Sequence, residues 1–258
     1  MPYTNIAANT LIKKIVKLGQ NSQYREEEGL AVIYGTHLVT EALSYGILHT
    51  LVVEINSVLH HQALISRLNA NNVYVVTKDL MRKINLLATP TTIVGLVQIV
   101  PARLKSTLYT EDCLVLENIQ DPGNLGTILR TALAAGVKNI LLSPDSVDVY
   151  NVKVLRASQG IQFGLNILPK VDILDFINKY QGRIIATTLN TEKNIYGLDL
   201  TQPIAWIFGN EGHGLSRLLL NKVKTRVKIP LVGEVESLNL AMAATVCLFE
   251  MVRQRLCR

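Results

Sequence analysis

The sequence predicts an α/β protein of two domains. Short apolar runs that end at turn residues alternate with segments of helical periodicity over residues 30–99, and the alternation restarts at Cys113. A polar, basic stretch that begins at Pro101 separates the two series. We therefore expect an N-terminal domain over residues 1–103, a linker over 104–110 and a second domain over 111–258.

The first domain should open with a helix over residues 11–18, because its leucine and isoleucine residues share one face and its lysines share the other. Further helices are expected at 37–45, 60–71 and 78–86. Strands are expected at 30–34, 49–55, 73–77 and 93–99. Elements this short do not fix whether the sheet is parallel.

The second domain repeats the alternation. Strands are expected at 113–118, 138–143, 165–168, 183–189, 204–208 and 227–230. Helices are expected at 124–135, 148–157, 172–180 and 214–223. Asn124 is predicted to cap the first of these helices, and Gly136 fits its carboxyl end. A terminal helix should begin at Ser237–Asn239, and because it is apolar on nearly every side we expect it to be largely buried.

Composition narrows the class of protein. The 258 residues carry a net charge of +6 at a pI near 9.2 and are 48% hydrophobic, which indicates a globular protein with a substantial core and favours an anionic partner. The three cysteines have no paired spacing, so neither a disulfide framework nor a metal site is expected, and a reducing, cytoplasmic location fits. The N-terminus lacks the apolar core of a signal peptide, and no membrane partner is expected.

Three polar stretches each follow a predicted strand: Glu117–Arg130, Phe208–Ser216 and Ile229–Asn239. In a parallel sheet such strand ends meet at one edge, which is where α/β proteins bind ligands. Residues far apart in the sequence are therefore expected to form one site.

The first stretch places Asn124 and Arg130 six residues apart on a helix, so their directions differ by roughly 120°. An arginine among small and apolar residues calls for an anionic partner, although an ordinary surface arginine and a capping asparagine explain the pattern equally well. The second stretch has Gly209, Gly212 and Gly214 around Glu211. These glycines allow the backbone to approach a ligand, or they form a tight turn; the pattern is neither a dinucleotide-binding nor a Walker A motif.

A run of cations lies between the second and third stretches. Four of them alternate at period two, namely Lys222, Lys224, Arg226 and Lys228. On an extended segment they project to one face. The pattern fits either a solvated sheet edge or a patch that follows a nucleic-acid backbone.

Taken in order, DPGNLGTILRTALAAG, IFGNEGHGLS and IPLVGEVESLNLAMA resemble the three motifs of the SpoU-type (TrmH-like) RNA ribose 2′-O-methyltransferases of the SPOUT superfamily. The resemblance covers residues 112–255. Residues 12–99, with YREEEGLAVIYGTHLVTEAL, are similar to the small ribosomal-protein-like RNA-binding domain that often precedes them.

The resemblance implies S-adenosylmethionine as methyl donor, a parallel-sheet domain with a C-terminal trefoil knot, and a homodimer whose active site draws on both subunits. It implies that the cofactor is held by Thr187, Leu189, Gly209, Ile229, Leu231 and Leu238. It implies Arg130 as catalytic arginine. The other motif polar residues that it marks are Asn124, Glu211, Ser237 and Asn239.

The expected function is methyl transfer to a ribose 2′-hydroxyl of RNA, with ribosomal RNA favoured over transfer RNA because of the front domain. Three alternatives remain open: an RNA-binding relative without activity, a methyltransferase acting on a base nitrogen, and a small-molecule α/β enzyme. Cofactor binding distinguishes an inactive RNA-binding relative from an enzyme. The pair Asn124 and Arg130 favours the ribose over a base. A small-molecule enzyme would not need the basic linker and the extra domain.

Overall fold

The computed structural model describes residues 4–5 and 9–257. The strands in this part of the chain are β1 Thr4–Asn5, β2 Leu30–Tyr34, β3 Leu48–Glu54, β4 Val73–Val76, β5 Ile93–Gln98, β6 Cys113–Leu116, β7 Asn139–Leu142, β8 Asn166–Leu168, β9 Arg183–Thr187, β10 Ile204–Phe208 and β11 Thr225–Val227. The α-helices are α1 Asn9–Gln20, α2 Ser22–Glu28, α3 Thr36–Ser44, α4 Gln62–Ile65, α5 Lys78–Ile84, α6 Pro122–Ala134, α7 Val152–Ser158, α8 Ile173–Lys179, α9 Arg217–Lys222 and α10 Leu240–Leu256.

The chain forms two compact units. The first contains Met1–Pro101 together with Asp148–Phe163, and the second contains Ala102–Val147 together with Gly164–Arg258. The predicted domains, 1–103 and 111–258 with a linker over 104–110, stay a prediction. The compact units differ from them because residues 148–163 belong to the first unit and not to the second.

Packing explains why this segment joins the first unit. Leu155 and Phe163 are buried in the same cluster as side chains of β2 and β3. Arg25 of α2 is only 3% exposed, and its Nε donates to Asp148 Oδ2 at 2.7 Å. Because a buried guanidinium needs a partner, Asp148 is fixed beside it.

The first unit has a mixed sheet in the order β1-β4-β3-β5-β2. Strand β4 is parallel to β1 and β3, whereas β5 is antiparallel to β2 and β3. The helix expected over 60–71 is reduced to α4, and α2 is an additional helix. Asn21 caps α2 by accepting from Tyr24 N, and Gly29 closes it at φ 62°.

The second unit has six parallel strands in the order β11-β9-β10-β6-β7-β8. Cys113 and Val115 pack in one core with Phe176 of α8 and Leu219 of α9. Leu114 alternates with them and is fully buried on the opposite face, as expected for a parallel sheet covered on both sides. The predicted α/β class with a parallel second sheet is confirmed.

Helix α10 is less buried than its composition predicts. Met242, Phe249 and Leu256 are 51%, 45% and 79% exposed, and they are spaced by seven residues. That spacing aligns them in one stripe along the helix, which we call the α10 stripe. No described helix has the length and apolar character needed to cross a membrane.

The last turn of α10 is tied to the second unit by polar contacts. Arg255 binds the carboxylate of Asp112, which precedes β6, and also donates to the carbonyl oxygens of Leu200 and Gln202. Among the described residues, the side chain of the nearby Arg253 binds only Glu250 of the same helix. Arg255 therefore connects the end of the chain to two other segments.

Candidate active site

The three polar stretches follow β6, β10 and β11. Because β6, β9, β10 and β11 are neighbouring parallel strands, their carboxyl ends meet at one edge of the sheet. The third stretch differs from its prediction, since β11 ends at Val227 and Ile229–Leu231 are already loop. Pro230 has no N–H to donate to a ladder, which agrees with an early end of the strand.

Glu211 links the second stretch to the first. Its Oε1 accepts from the backbone N of Asp121 at 3.1 Å and from Asn124 Nδ2 at 3.3 Å, and its Oε2 accepts from Gln120 N at 3.2 Å. Asn239 Nδ2 donates to Asn124 Oδ1 at 2.9 Å. Hydrogen bonds thus join residues of all three stretches, and we call Glu211, Asn124 and Asn239 the polar network.

The hydrogen bonds also set the acidity of Glu211. Burial raises the pKa of this carboxyl, but donors from its own backbone, from Asp121 and Gln120 and from Asn124 together lower it further. The net effect is a pKa below its ordinary value of 4.5. Glu211 is therefore held as a carboxylate that accepts, and it does not act as an acid at neutral pH.

The start of α6 differs from the prediction, because Asn124 is not its N-cap. Asp121 takes that position, and its Oδ1 accepts from Asn124 N at 2.6 Å. Pro122 follows at the first helical position, where its missing N–H costs nothing. Since Asp121 caps the helix, the side chain of Asn124 is available for Glu211 and Asn239.

The loop that carries Glu211 is shaped by Asn210, which the sequence analysis did not select. Its Oδ1 accepts from Gly212 N at 2.9 Å and His213 N at 3.1 Å, and its Nδ2 donates to Asn118 O at 2.8 Å. An asparagine often stabilises a turn by accepting from backbone N–H groups two and three residues ahead. The position of Asn210 among glycines was therefore the sequence signal that could have identified it.

Gly209 explains why the loop begins with glycine. A Cβ on this residue would lie 2.3 Å from the carbonyl carbon of Gly214, because the backbone folds back on itself there. Asn210 N donates to Gly214 O at 3.0 Å, and Gly214 N returns a bond to Asn210 O at 2.9 Å. Any larger residue at 209 would open this turn.

A cavity of about 350 Å³ lies beside the polar network. All six predicted cofactor residues line it, and so do Glu211 and Ser237. Its volume is in the range of small-molecule sites. A larger cavity of about 750 Å³ shares four lining residues with it, namely Asn210, His213, Gly214 and Leu215.

The walls of the smaller cavity fit the expected cofactor. In the part of the chain that the structure describes, no group accepts from the backbone N–H of Ile229, Leu231 or Leu238. Free N–H groups beside apolar side chains suit a purine ring, whose nitrogens accept hydrogen bonds. S-adenosylmethionine carries such a ring, so the residues present are compatible with it.

Arg130 is separate from the network. It is exposed on α6, does not line the smaller cavity and has no ion pair or hydrogen bond with another described residue. The next residue, Thr131, contacts Thr245 of α10 with 3.4 Å between the hydroxyl oxygens. Arg130 therefore projects from a helix that packs on the helix carrying the α10 stripe.

A model of the SpoU rRNA Methylase family matches residues 112–249, more than half of the chain. The chain belongs to the SpoU rRNA methylase family. A model of the MRM3-like substrate binding domain matches residues 9–95. The predicted family and enzyme class of this SpoU methylase are thereby confirmed, together with the substrate-binding domain in front.

Two relatives match the SpoU methylase over nearly its whole length. An uncharacterised tRNA/rRNA methyltransferase of Synechocystis is 34% identical over 256 residues, covering 96% of this chain and 92% of the relative. The 23S rRNA (guanosine(2553)-2′-O)-methyltransferase of Bacillus subtilis is 29% identical over 250 residues, covering 95% of this chain and 97% of the relative.

Solved structures share the architecture. An AdoMet-bound rRNA methyltransferase from Sinorhizobium meliloti superposes with a TM-score of 0.80 at 29% identity over 97% of both chains. The SpoU methyltransferase AviRb from Streptomyces viridochromogenes, in complex with the cofactor AdoMet, gives a TM-score of 0.84 at 26% identity over 96% of this chain and 99% of that one. The predicted cofactor agrees with both neighbours.

Proposed function

We propose that this SpoU methylase transfers a methyl group from S-adenosylmethionine to a ribose 2′-hydroxyl of ribosomal RNA. The observation that carries the proposal is the polar network, which holds residues of the three motif stretches together beside a cavity of cofactor size. The Bacillus subtilis relative, which is named for 2′-O-methylation of 23S rRNA, supports the choice of substrate.

The cofactor would be held by backbone N–H groups of Ile229, Leu231 and Leu238, with the turn at Gly209 closing over it. Thr187 and Leu189 form the wall at the end of β9. When bound, S-adenosylmethionine supplies an electrophilic methyl group on sulfur. Glu211 and Asn124 fix the loops around it, and Ser237 and Asn239 order the third stretch or contact the ribose.

Arg130 orients the RNA in this proposal. A guanidinium in a protein keeps its proton, so Arg130 does not serve as the base. Its planar donors can bind the 2′-hydroxyl and the adjacent phosphate at once, which a lysine cannot do, and that phosphate would take the hydroxyl proton as the methyl group is transferred. Its exposure and the lack of a partner among the described residues are what such a role requires.

A homodimer is part of the proposal, with an active site that draws on both subunits. The α10 stripe offers an exposed apolar surface for a second copy, and α6 with Arg130 packs beside it. Arg130 would then approach the cavity of the partner subunit. Family membership supports the trefoil knot and a cytoplasmic location, which fits a ribosomal substrate.

The test is transfer of radiolabelled methyl to total ribosomal and transfer RNA by the wild type, Arg130→Ala and Arg130→Lys, with Arg103→Ala as an exposed control. We expect the wild type to label ribosomal RNA and to make one linkage of that RNA resistant to alkali. Both Arg130 variants should lose the methyl transfer but keep the cofactor affinity of the wild type. Label in transfer RNA alone would move the substrate to tRNA. The absence of any cofactor binding would contradict the proposed methyltransferase activity. Full activity of Arg130→Lys would contradict the proposal that Arg130 binds the hydroxyl and the phosphate at once.

A further inference from the structure

The second unit carries a run of positive charge next to the cofactor cavity. Five basic residues and no acidic one lie between Glu211 and Glu234: Arg217, Lys222, Lys224, Arg226 and Lys228. The last four occupy the end of α9 and the extended segment through β11, and we call them the β11 stripe. Val223 and Val227 alternate with them and are 2% and 0% exposed, so the cations face outward.

In the described part of the chain, three of the four cations of this stripe lack the acidic partner that several other lysines have, whereas Lys228 binds Glu192 Oε2 at 3.3 Å. Lys14 pairs with Glu28, and Lys179 pairs with Asp175. Among the described residues, Lys222, Lys224 and Arg226 have no acidic partner and no side-chain hydrogen bond, and all three are exposed. Lysines and other charges also protect edge strands from pairing, but only Arg226 of the stripe lies within β11, so protection alone leaves most of the stripe unexplained.

The position of the stripe gives it a direction. Strand β11 is the edge strand of the six-stranded sheet, and Lys228 at its carboxyl end lines the smaller cavity. Alternate residues on an extended segment lie about 6.6 Å apart, so the cations form a row that ends at the cavity. A linear polyanion with repeated charges matches this row, whereas a single small anion does not.

We propose that the β11 stripe binds the phosphate backbone of the RNA strand that enters the cofactor cavity. The inference rests on the function proposed above and adds the surface along which the substrate lies. Phosphate contacts set the register and orientation of the RNA but carry no sequence information. The stripe therefore positions the strand, while selection of the nucleotide resides elsewhere.

The experiment compares two charge-matched triple variants. The first is Lys222→Gln/Lys224→Gln/Arg226→Gln. The second is Lys138→Gln/Lys179→Gln/Arg253→Gln, which removes two lysines and one arginine that are also exposed but lie before β7, at the end of α8 and in α10, outside the stripe and the predicted linker. Affinity for deproteinised ribosomal RNA is measured from about 50 to 200 mM salt.

For the stripe variant, the slope of log affinity against log salt should become less steep by about 2 to 3, because each lost phosphate contact removes nearly one released counterion. For the control variant the slope should become less steep by less than about 1. The stripe variant should also have a higher KM for RNA, with kcat at saturating RNA within about twofold of wild type and unchanged cofactor affinity.

Three results would overturn the inference: an unchanged slope in the stripe variant, an unchanged KM for RNA in that variant, or an equal loss in the control, which would indicate an effect of net charge alone. The inference and the proposed function fail separately. If the wild type binds RNA with a slope that depends on the stripe but transfers no methyl group, the function is wrong and the stripe stands. If methyl transfer occurs with a KM that the stripe variant leaves unchanged, the function stands and the stripe is wrong.

Discussion

Glu211 accepts hydrogen bonds from two backbone N–H groups and one side-chain amide. An amide of the same size cannot replace its carboxylate, because one of the two oxygens would become a donor. We predict that Glu211→Gln lowers cofactor affinity and turnover by about tenfold, because an amide replaces one charge-assisted acceptor with a donor. Isothermal titration with S-adenosylmethionine and single-turnover methyl transfer measure the two effects. The matched control is Glu234→Gln, which removes an exposed carboxylate outside the network.

The acidity of Glu211 gives a second prediction. Its folded-state pKa lies below the ordinary value of 4.5, so the ionised form stabilises the fold above that pH, and this contribution is lost as the pH falls through the folded pKa. The free energy of unfolding of the wild type should therefore decline on acidification below about pH 4.5, and that of Glu211→Gln should decline less; chemical denaturation over a series of pH values measures both. Parallel pH profiles of the two proteins would contradict the role given to this carboxylate.

Asn239 has two tasks that one substitution separates. Its Oδ1 caps α10 by accepting from Ala241 N and Met242 N, and its Nδ2 donates to Asn124. Asn239→Asp keeps the cap and removes the donor, so we expect a melting temperature close to wild type but a loss of turnover of about tenfold. Asn239→Ala should lose stability as well. Equal turnover of wild type and Asn239→Asp would show that the bond to Asn124 is dispensable.

At the scale of elements, the two arginines near the end of α10 form a natural pair for comparison. Arg255→Ala should destabilise the protein by about 2 kcal/mol, because the charged bonds to Asp112 and to two backbone carbonyls are lost together. Arg253→Ala should lower the melting temperature less, since among the described residues this exposed side chain binds only Glu250 of its own helix, and Gln254 still donates to that buried carboxylate. Chemical denaturation followed by circular dichroism measures both.

The sequence predicted most strands of the second unit because each is a continuous apolar run, as for Ile204–Phe208. It was less successful where local signals compete. Asn124 and Asp121 are both good caps, and only the proline after Asp121 decides between them. The short α2 has no apolar face to reveal it, since its last four residues are Arg25 and three glutamates. These errors arise within one turn of helix, where propensity alone is weak.

At the scale of the whole molecule, the α10 stripe predicts self-association. Met242→Lys/Phe249→Lys should convert a dimer into monomers, because two charges would be placed in an apolar interface. Light scattering after gel filtration measures the mass, and methyl transfer should fall with the dimer. Leu59→Lys is the control, since Leu59 is an exposed apolar residue of the first unit, at 84% exposure. A wild-type monomer with full activity would contradict the dimer.

Whole-molecule features were the least accessible to sequence reasoning. Periodicity showed that α10 is apolar but not which of its sides lacks a neighbour, and the exposed stripe emerges only from the fold. Likewise, a pattern read along the chain assigned residues 148–163 to the second domain. Their place in the first unit depends on Asp148 meeting Arg25, a contact between residues 123 positions apart.

That contact has a consequence for the order of events during synthesis on the ribosome. Proteins usually complete an N-terminal domain before the next one has emerged. Here the first compact unit needs Leu155 and Phe163 for its core and Asp148 to neutralise Arg25, so it cannot finish folding until residue 163 has left the exit tunnel. By then β6, α6 and β7 of the second unit have already been translated, and the nascent chain must keep their apolar surfaces from associating prematurely.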